Sequence, residues 1–174
     1  MSRKALGHHF FIIDNQFILQ FDRKVYRKHY PVIDFSSFEI IASNGSGFHY
    51  FRDKNHVYID SYMNTFAVLP GADPDSFQIL DFKNGRSTSA EHDYLFDQKL
   101  PHRFSEYEHL SGLYQRVGNT IYFNHVGEVA GADPATFEVL HGDKVGNAAR
   151  DKHHVYFREH IVEEADAETF HFLE

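Results

Sequence analysis

The chain has 174 residues, long enough to bury a core of its own, and no Cys, which removes disulfide frameworks and thiolate metal sites. Its 17 Lys and Arg stand against 25 Asp and Glu, and the net charge of -8 argues against a phosphate-tracking nucleic-acid binder and for a basic partner. With 18 Phe and 10 Tyr, residues that suit pleated, half-buried surfaces, a mainly β fold is expected. The first apolar run, Phe10-Phe11-Ile12-Ile13, stops at Asp14, too short for a signal-peptide core, and no stretch is long enough to span a membrane. A cytoplasmic protein is the expectation.

Taken in chain order, the sequence is a set of tandem repeats. The first, about 8–44, holds Phe21-Asp22-Arg23-Lys24-Val25-Tyr26, a hairpin with a short loop, and Asp34 four residues before Phe38. Asn44-Gly45-Ser46-Gly47 follows as a flexible joint; without a Lys it is no phosphate cradle. In the second repeat, about 45–82, Phe48-His49-Tyr50-Phe51 and Val57-Tyr58-Ile59 flank the polar loop 52–56, the pattern of a hairpin. There Asp53 accepts from its own backbone two residues on, and Asn55 supplies a left-handed conformation. Residues 60–67 lengthen this repeat, which closes on Gly71-Ala72-Asp73-Pro74-Asp75-Ser76-Phe77. A degenerate third repeat, about 83–112, carries Ala90-Glu91-His92-Asp93-Tyr94-Leu95-Phe96 and an irregular segment, 97–112, with room for a short helix. In the fourth, about 113–142, Val117-Gly118-Asn119-Thr120 replaces the Asp-led loop, and the closing phrase returns as Gly131-Ala132-Asp133-Pro134-Ala135-Thr136-Phe137. The fifth, about 143–174, restores the loop as Asp151-Lys152-His153-His154, with His153 in the place of Asn, and closes on Ala165-Asp166-Ala167-Glu168-Thr169-Phe170.

The closing phrase keeps a four-residue offset: Asp34 to Phe38, Asp73 to Phe77, Asp133 to Phe137, Asp166 to Phe170, with Ile41, Leu80, Leu140 and Leu173 three residues further. This spacing predicts an Asp-capped one-turn helix, with Pro74 and Pro134 at its first position, where a missing N–H costs nothing. Ile33, Ala72, Ala132 and Ala165 precede the cap and should meet the Phe as a hydrophobic staple. Ser37, Ser76, Thr136 and Thr169 stand where a capping box would place Glu or Gln. Each buried Phe is worth roughly 1.5 to 3 kcal/mol, so these positions should hold the fold. Units that cannot bury their own apolar faces must stack, and no Pro-, Gly- or Ser-rich linker separates them; the expectation is one continuous domain of hairpin repeats.

Asp53-Lys54-Asn55-His56-Val57-Tyr58 and Asp151-Lys152-His153-His154-Val155-Tyr156, each coupled to an Ala-Asp-x-x-(Ser/Thr)-Phe element, resemble the bacterial DKNYY family, named for that motif. The resemblance is good over the second repeat and the last two, weaker over 1–45, and weakest over 82–111. It implies small β-hairpin units in bacterial proteins without an established enzymatic role. Some relatives of this kind of small bacterial repeat protein serve as immunity partners of secreted toxins, a role the resemblance extends to this chain as an expectation. The motif suggests an active site by its name, but turn chemistry accounts for the same residues.

Fourteen His invite a metal reading. However, the adjacent pairs His8-His9 and His153-His154 would point to opposite faces of a strand, and no pair stands at helical ligand spacing. Asp73-Pro74-Asp75 lacks the alternating oxygens and the glycine of a calcium loop. No metal or other cofactor is therefore expected. The densest ionisable clusters, Glu91-His92-Asp93 and Glu106-Tyr107-Glu108-His109, lie in the irregular third repeat, and the first is the seat of an alternative small hydrolase or metal enzyme. The leading expectation is a non-enzymatic binder of another protein, a toxin-neutralising immunity protein in its concrete form. Tyr62, Arg103, Glu106, Tyr107 and Glu108, in the period-breaking segments, are its predicted contacts, because Tyr and Arg are enriched at binding hot spots.

Overall fold

The computed structural model describes residues 3–14, 16–19, 24–63, 65–140 and 147–172, in two compact units, Met1–Lys99 and Leu100–Glu174. The first compact unit carries three antiparallel meanders. The first sheet pairs Arg3–Gly7, Phe10–Ile13 and Gln16–Leu19; the second Glu39–Ser43, His49–Arg52, Val57–Asp60 and Ala67–Val68; the third Gln78–Asp81, Arg86–Thr88, Asp93–Leu95 and Gln98–Lys99. The other compact unit carries a fourth sheet, of Glu108–Ser111, Tyr114–Val117, Thr120–Phe123 and Gly127–Glu128, and a fifth, of Glu138–Leu140, Ala148–Arg150, Val155–Phe157 and His160–Ile161. The mainly β repeat fold is as the sequence predicts, one small sheet per repeat.

The phase of the repeat differs from the sequence reading. The second, third and fifth sheets take their opening strands from the residues directly behind the closing Phe, and the fourth from those behind Tyr107, so Glu39, Gln78 and Glu138 open sheets rather than end repeats. A bulge in that strand (Ile40/Ala42, Ile79/Asp81, His109/Ser111) breaks the alternation that would have marked it as a strand. Asn44-Gly45-Ser46-Gly47 is consequently no joint between repeats. It is a tight loop inside the second sheet, where the Asn44 side-chain oxygen accepts from the amides of Ser46, Gly47 and Phe48 at 3.0, 3.1 and 3.0 Å.

The first repeat departs furthest. Its hairpin lies between Phe10–Ile13 and Gln16–Leu19, with Asp14 at φ 47, and Tyr26 sits on a 3-10 helix, Lys24–His29, rather than on a strand. The predicted loop at 21–23 and Leu173 lie outside the described residues. His8 and His9 form a turn, at φ 50 and 67, instead of lying along a strand. In the third repeat the short helix is the 3-10 turn Phe104–Glu106.

The closing phrase is a single hydrogen-bonded turn, shorter than a helix. The amides of Ser37 and Thr136 return to the carbonyls of Asp34 and Asp133 at 3.2 and 3.1 Å. The Asp side chain caps as predicted: Asp34 Oδ1 accepts from the amides of Ser36 and Ser37, Asp133 Oδ1 from Ala135, and Asp166 Oδ1 from Glu168 and Thr169. The stapling residues meet as expected, with Ile33 and Phe38 in one cluster and Ala72 and Phe77 in another.

Within each compact unit, cross-strand rows form the seams between successive sheets. In every sheet three directly paired residues stand side by side: Ala5–Phe11–Ile18, Ile40–Phe51–Tyr58, Ile79–Ser87–Tyr94, His109–Gln115–Tyr122 and Val139–Ala149–Tyr156. The second row packs on Phe10, Ile12 and Tyr26 of the first repeat, and Ile79 and Tyr94 of the third pack on Phe48, Tyr50, Ile59 and Leu69 of the second. In the other compact unit the fifth row packs on Tyr114, Ile121, Phe123 and Val129 of the fourth repeat. This sheet-to-sheet burial of whole aromatic side chains is the main stabilising term.

Candidate functional site

The signature loop is built around one carboxylate. Asp53 is 2% exposed. Its Oδ1 accepts from the amides of Asn55 and His56, both at 2.8 Å, and its Oδ2 from the Asp34 amide at 2.8 Å and the Tyr58 hydroxyl at 2.6 Å. The geometry recurs at Asp151: Oδ1 takes the amides of His153 and His154 at 2.7 and 2.8 Å, and Oδ2 takes the Asp133 amide at 2.7 Å and the Tyr156 hydroxyl at 2.8 Å. One buried anion thus fastens the hairpin loop to the turn that enters its own sheet, with its acceptor capacity used by backbone and Tyr.

The next residue adds a second clasp. Lys54 Nζ lies 2.5 Å from Asp34 Oδ2, and Lys152 Nζ 2.8 Å from Asp133 Oδ2, while the Lys54 and Lys152 amides donate to Ser37 Oγ and Thr136 Oγ1 at 3.0 and 3.2 Å. That second bond explains the Ser or Thr where a capping box would carry Glu: the hydroxyl is needed as an acceptor for the neighbouring loop. The preceding Arg spans to the sheet edge, Arg52 to Glu39 at 2.7 Å, Arg116 to Glu108 at 2.7 Å and Arg150 to Glu138 at 3.1 Å. Arg52 and Arg150 also donate to the carbonyls of Pro74 and Ala167 in the next closing phrase, at 3.3 and 3.4 Å. Asn55 and His153 do not occupy the left-handed region; the Asp side chain shapes the loop without it, whereas Gly118, at φ 57, does what the sequence predicts.

Protonation follows from these contacts. Lys54 and the Ser36 hydroxyl hold Asp34 well below the usual carboxylate range, Lys152 and the Ala135 amide lower Asp133, and the Ser76 hydroxyl lowers Asp73. At Asp151 burial works upward, but the amides of Asp133, His153 and His154 and the Tyr156 hydroxyl outweigh it. Burial first, and the adjacent carboxylate second, push Tyr58 and Tyr156 far above their ordinary value. These hydroxyls are permanent donors at neutral pH and unsuited to act as bases or nucleophiles. For a carboxylate lowered in the folded state, the stability it contributes is complete above the unfolded value of 3.8 and disappears as pH falls through the folded-state value. Urea unfolding midpoints should therefore be clearly lower at about pH 3 than at about pH 6. Equal midpoints would mean that the carboxylates are not engaged.

The degenerate copy shows what the loop loses without its acid. Ser89 and Ala90 stand where Asp and Lys stand elsewhere; Ser89 N still bonds the His92 carbonyl at 2.8 Å, as Asp53 N does that of His56 at 3.0 Å, and Ala90 N keeps the bond to Ser76 Oγ at 3.0 Å. The Glu91/His92/Asp93 cluster does not converge. The Asp93 carboxylate accepts from Thr88 Oγ1 at 2.6 Å, His92 Nε2 lies 2.9 Å from Lys99 Nζ, and Glu91 is 4.0 Å from His92. The contacts predicted in 97–112 have local partners: Glu106 accepts from the Arg103 amide at 2.7 Å, the Tyr107 hydroxyl donates to the His125 carbonyl at 2.6 Å, and Glu108 pairs with Arg116. Tyr62, in the other compact unit, is 71% exposed with Met63 beside it at 65%, and its ring edges onto Phe48 and Phe96 at 6.2 and 5.7 Å.

Sequence reasoning missed a polar row in the second sheet. Ser43, His49 and Asp60 are directly paired across three strands. Ser43 Oγ lies 2.7 Å from His49 Nδ1, and Asp60 Oδ2 accepts from the Tyr26 hydroxyl at 2.5 Å. A hydroxyl, an imidazole and a carboxylate in series resemble catalytic machinery, but His49 and Asp60 are only 4% and 1% exposed, with the imidazole edge-on to Phe10 at 4.8 Å. It is a buried polar network in the seam. No local sequence signal pointed to it, because its members meet only through sheet register. Two shallow depressions, of about 230 and 370 Å³, occupy equivalent places between a hairpin loop and the next Asp-Pro turn, one at Arg52, Lys54 and Pro74, the other at Arg116, Asn119 and Pro134. Among the described residues no group of His, Asp or Glu is arranged to hold a metal ion, and no helix is long and apolar enough to cross a membrane.

A meander closed by an Asp-capped turn and pinned by a buried Asp–Tyr pair, repeated along the chain, defines a β-repeat protein. Residues 114–174 match the model of the DKNYY family, which bears out the resemblance drawn from the loop motifs. No curated protein and no solved structure matches the chain.

Proposed function

We propose that this chain is a non-enzymatic protein-binding repeat protein, in its concrete form a cytoplasmic immunity protein that occludes a basic bacterial toxin. The observation that carries this reading is the Tyr62–Met63 patch, two large side chains mostly in water beside the rings of Phe48 and Phe96. A half-rigid aromatic next to a flexible thioether is the kind of surface that partners bury. The net charge of -8 favours a basic partner. The hydrolase reading has no comparable support, since Asp93 is engaged by Thr88 and His92 by Lys99.

Immobilised chain exposed to extract of the source bacterium should retain a basic protein. Tyr62→Ala with Met63→Ala should weaken that retention about tenfold or more, and co-expression of the intact chain should relieve the growth arrest its partner causes. Equal retention by the double variant removes the patch from the interface. A retained partner that is harmless when expressed alone removes the immunity role.

A further inference from the structure

Burial closes the Ser43–His49–Asp60 row to a substrate from solution, but the chain itself brings one to it. Ser43 Oγ, half-buried at the end of its strand, lies 2.7 Å from His49 Nδ1 and accepts from the Gly45 amide at 2.9 Å. With that amide as its donor, the hydroxyl turns its own proton to the imidazole. The residue before the glycine is Asn44, exposed to water. Its Oδ1 accepts from the amides of Ser46, Gly47 and Phe48 at 3.0, 3.1 and 3.0 Å and from Ser46 Oγ at 3.3 Å, and its own amide closes the loop on the Phe48 carbonyl at 3.0 Å. The parts of an acyl-transfer site therefore surround one Asn-Gly linkage. There is a backbone nitrogen as nucleophile, a hydroxyl–imidazole pair to take its proton, and a nest of donors on the carboxamide oxygen, where negative charge gathers in the transition state. Gly45 has no Cβ to obstruct the approach of its nitrogen.

We propose that Asn44 is a self-modification site, at which the chain converts its own Asn44-Gly45 linkage to a succinimide and then to aspartate and isoaspartate. The Gly45 nitrogen attacks Asn44 Cγ as its proton passes to Ser43 Oγ and the hydroxyl proton passes to His49 Nδ1. An N–Cγ bond forms, the charge on Oδ1 is held by the amides of Ser46, Gly47 and Phe48, and the Cγ–Nδ2 bond breaks. Nδ2 takes a proton from water and leaves as ammonia, and His49 returns its proton through Ser43 to the hydroxide left behind. Water then opens the ring at either carbonyl, and nothing is oxidised or reduced. Ser43 touches the reacting nitrogen and is the catalytic residue; His49 acts through it as a positioning residue. The event happens once per chain and without turnover, so it is independent of any partner bound at Tyr62. The chain's other Asn-Gly linkage, Asn84-Gly85, is a built-in reference. There Asn84 Nδ2 is held by Asp81 Oδ2 at 2.7 Å, and the Gly85 amide donates at 3.3 Å to the Phe82 carbonyl, which takes no proton.

Peptide mapping by mass spectrometry of the folded full chain, incubated at neutral pH, should find aspartate and isoaspartate accumulating at Asn44 about tenfold or more faster than at Asn84. In urea the two rates should converge, because only the fold supplies the donors and the base. Ser43→Ala should slow the change at Asn44 about tenfold or more and leave Asn84 unaffected, and Ser43→Thr, which keeps a hydroxyl, should restore the rate. His49→Gln should slow it too, and adding it to Ser43→Ala should bring no further loss, a coupling that a merely structural role would not produce. If His49→Gln does not fold by circular dichroism, the two Ser43 variants decide alone. Equal rates at Asn44 and Asn84 in the folded chain, a difference that persists in urea, an unaltered rate in Ser43→Ala, or a loss that Ser43→Thr does not repair would overturn the proposal.

Discussion

Replacing Asp53 with alanine is expected to lower the free energy of unfolding by about 3 to 5 kcal/mol, a large part of the ~5 to 15 kcal/mol of a typical domain. The expectation follows from its four accepted hydrogen bonds. Without the carboxylate, the amides of Asn55, His56 and Asp34 and the Tyr58 hydroxyl lose their acceptor together, in a place water reaches poorly since Asp53 is 2% exposed. Asp151→Ala should behave alike, because its four bonds are the same ones a hundred residues on. Urea unfolding of the two variants measures this directly. A loss under about 1 kcal/mol in both would show that the signature acid is not conformational, and would reopen a chemical role.

Phe38→Ala should cost about as much, about 3 to 5 kcal/mol, for a different reason. Phe38 is fully buried, stacks on Phe51 at 5.4 Å and meets Tyr58 edge-on at 5.6 Å, so truncation opens a cavity at the seam between the first and second repeats. The same truncation at Phe77, 8% exposed, should cost less, and at the half-buried Phe170 less again. Denaturant titration of the three variants should give that order. A larger effect at Phe170 than at Phe38 would place the core elsewhere.

What the sequence made legible was local. The four-residue offset from Asp to Phe fixes a capped turn, and Asp53-Lys54-Asn55 fixes a tight loop, because both depend on side chains bonding to backbone two or three residues away. What escaped was carried by register. Lys54 and Asp34 pair across an intervening strand, and nothing in either neighbourhood names the other. The role of Ser37 and Thr136 as acceptors for a separate loop was hidden for the same reason, and so were the Ser43–His49–Asp60 row and the phase of the repeats, which a bulge conceals. The left-handed residue expected at Asn55 was unnecessary, since the Asp side chain already closed the loop. Tyr62 was chosen because its segment breaks the period, and it does stand in solvent; Arg103, Glu106, Tyr107 and Glu108 were chosen on the same ground, and each has a partner close by.

The loop at 89–92 does without clasps that the loops at 52–56 and 151–154 possess. With Ser89 for the acid, Ala90 for the ammonium and Thr88 for the guanidinium, it lacks the carboxylate and ion-pair clasps and keeps the bond from the Ala90 amide to Ser76. Tension applied along the chain would open that loop before the clasped ones at 52–56 and 151–154. A protein assembled from near-copies thereby acquires a preferred point of yielding, and mutations there meet less resistance than anywhere the clasps persist.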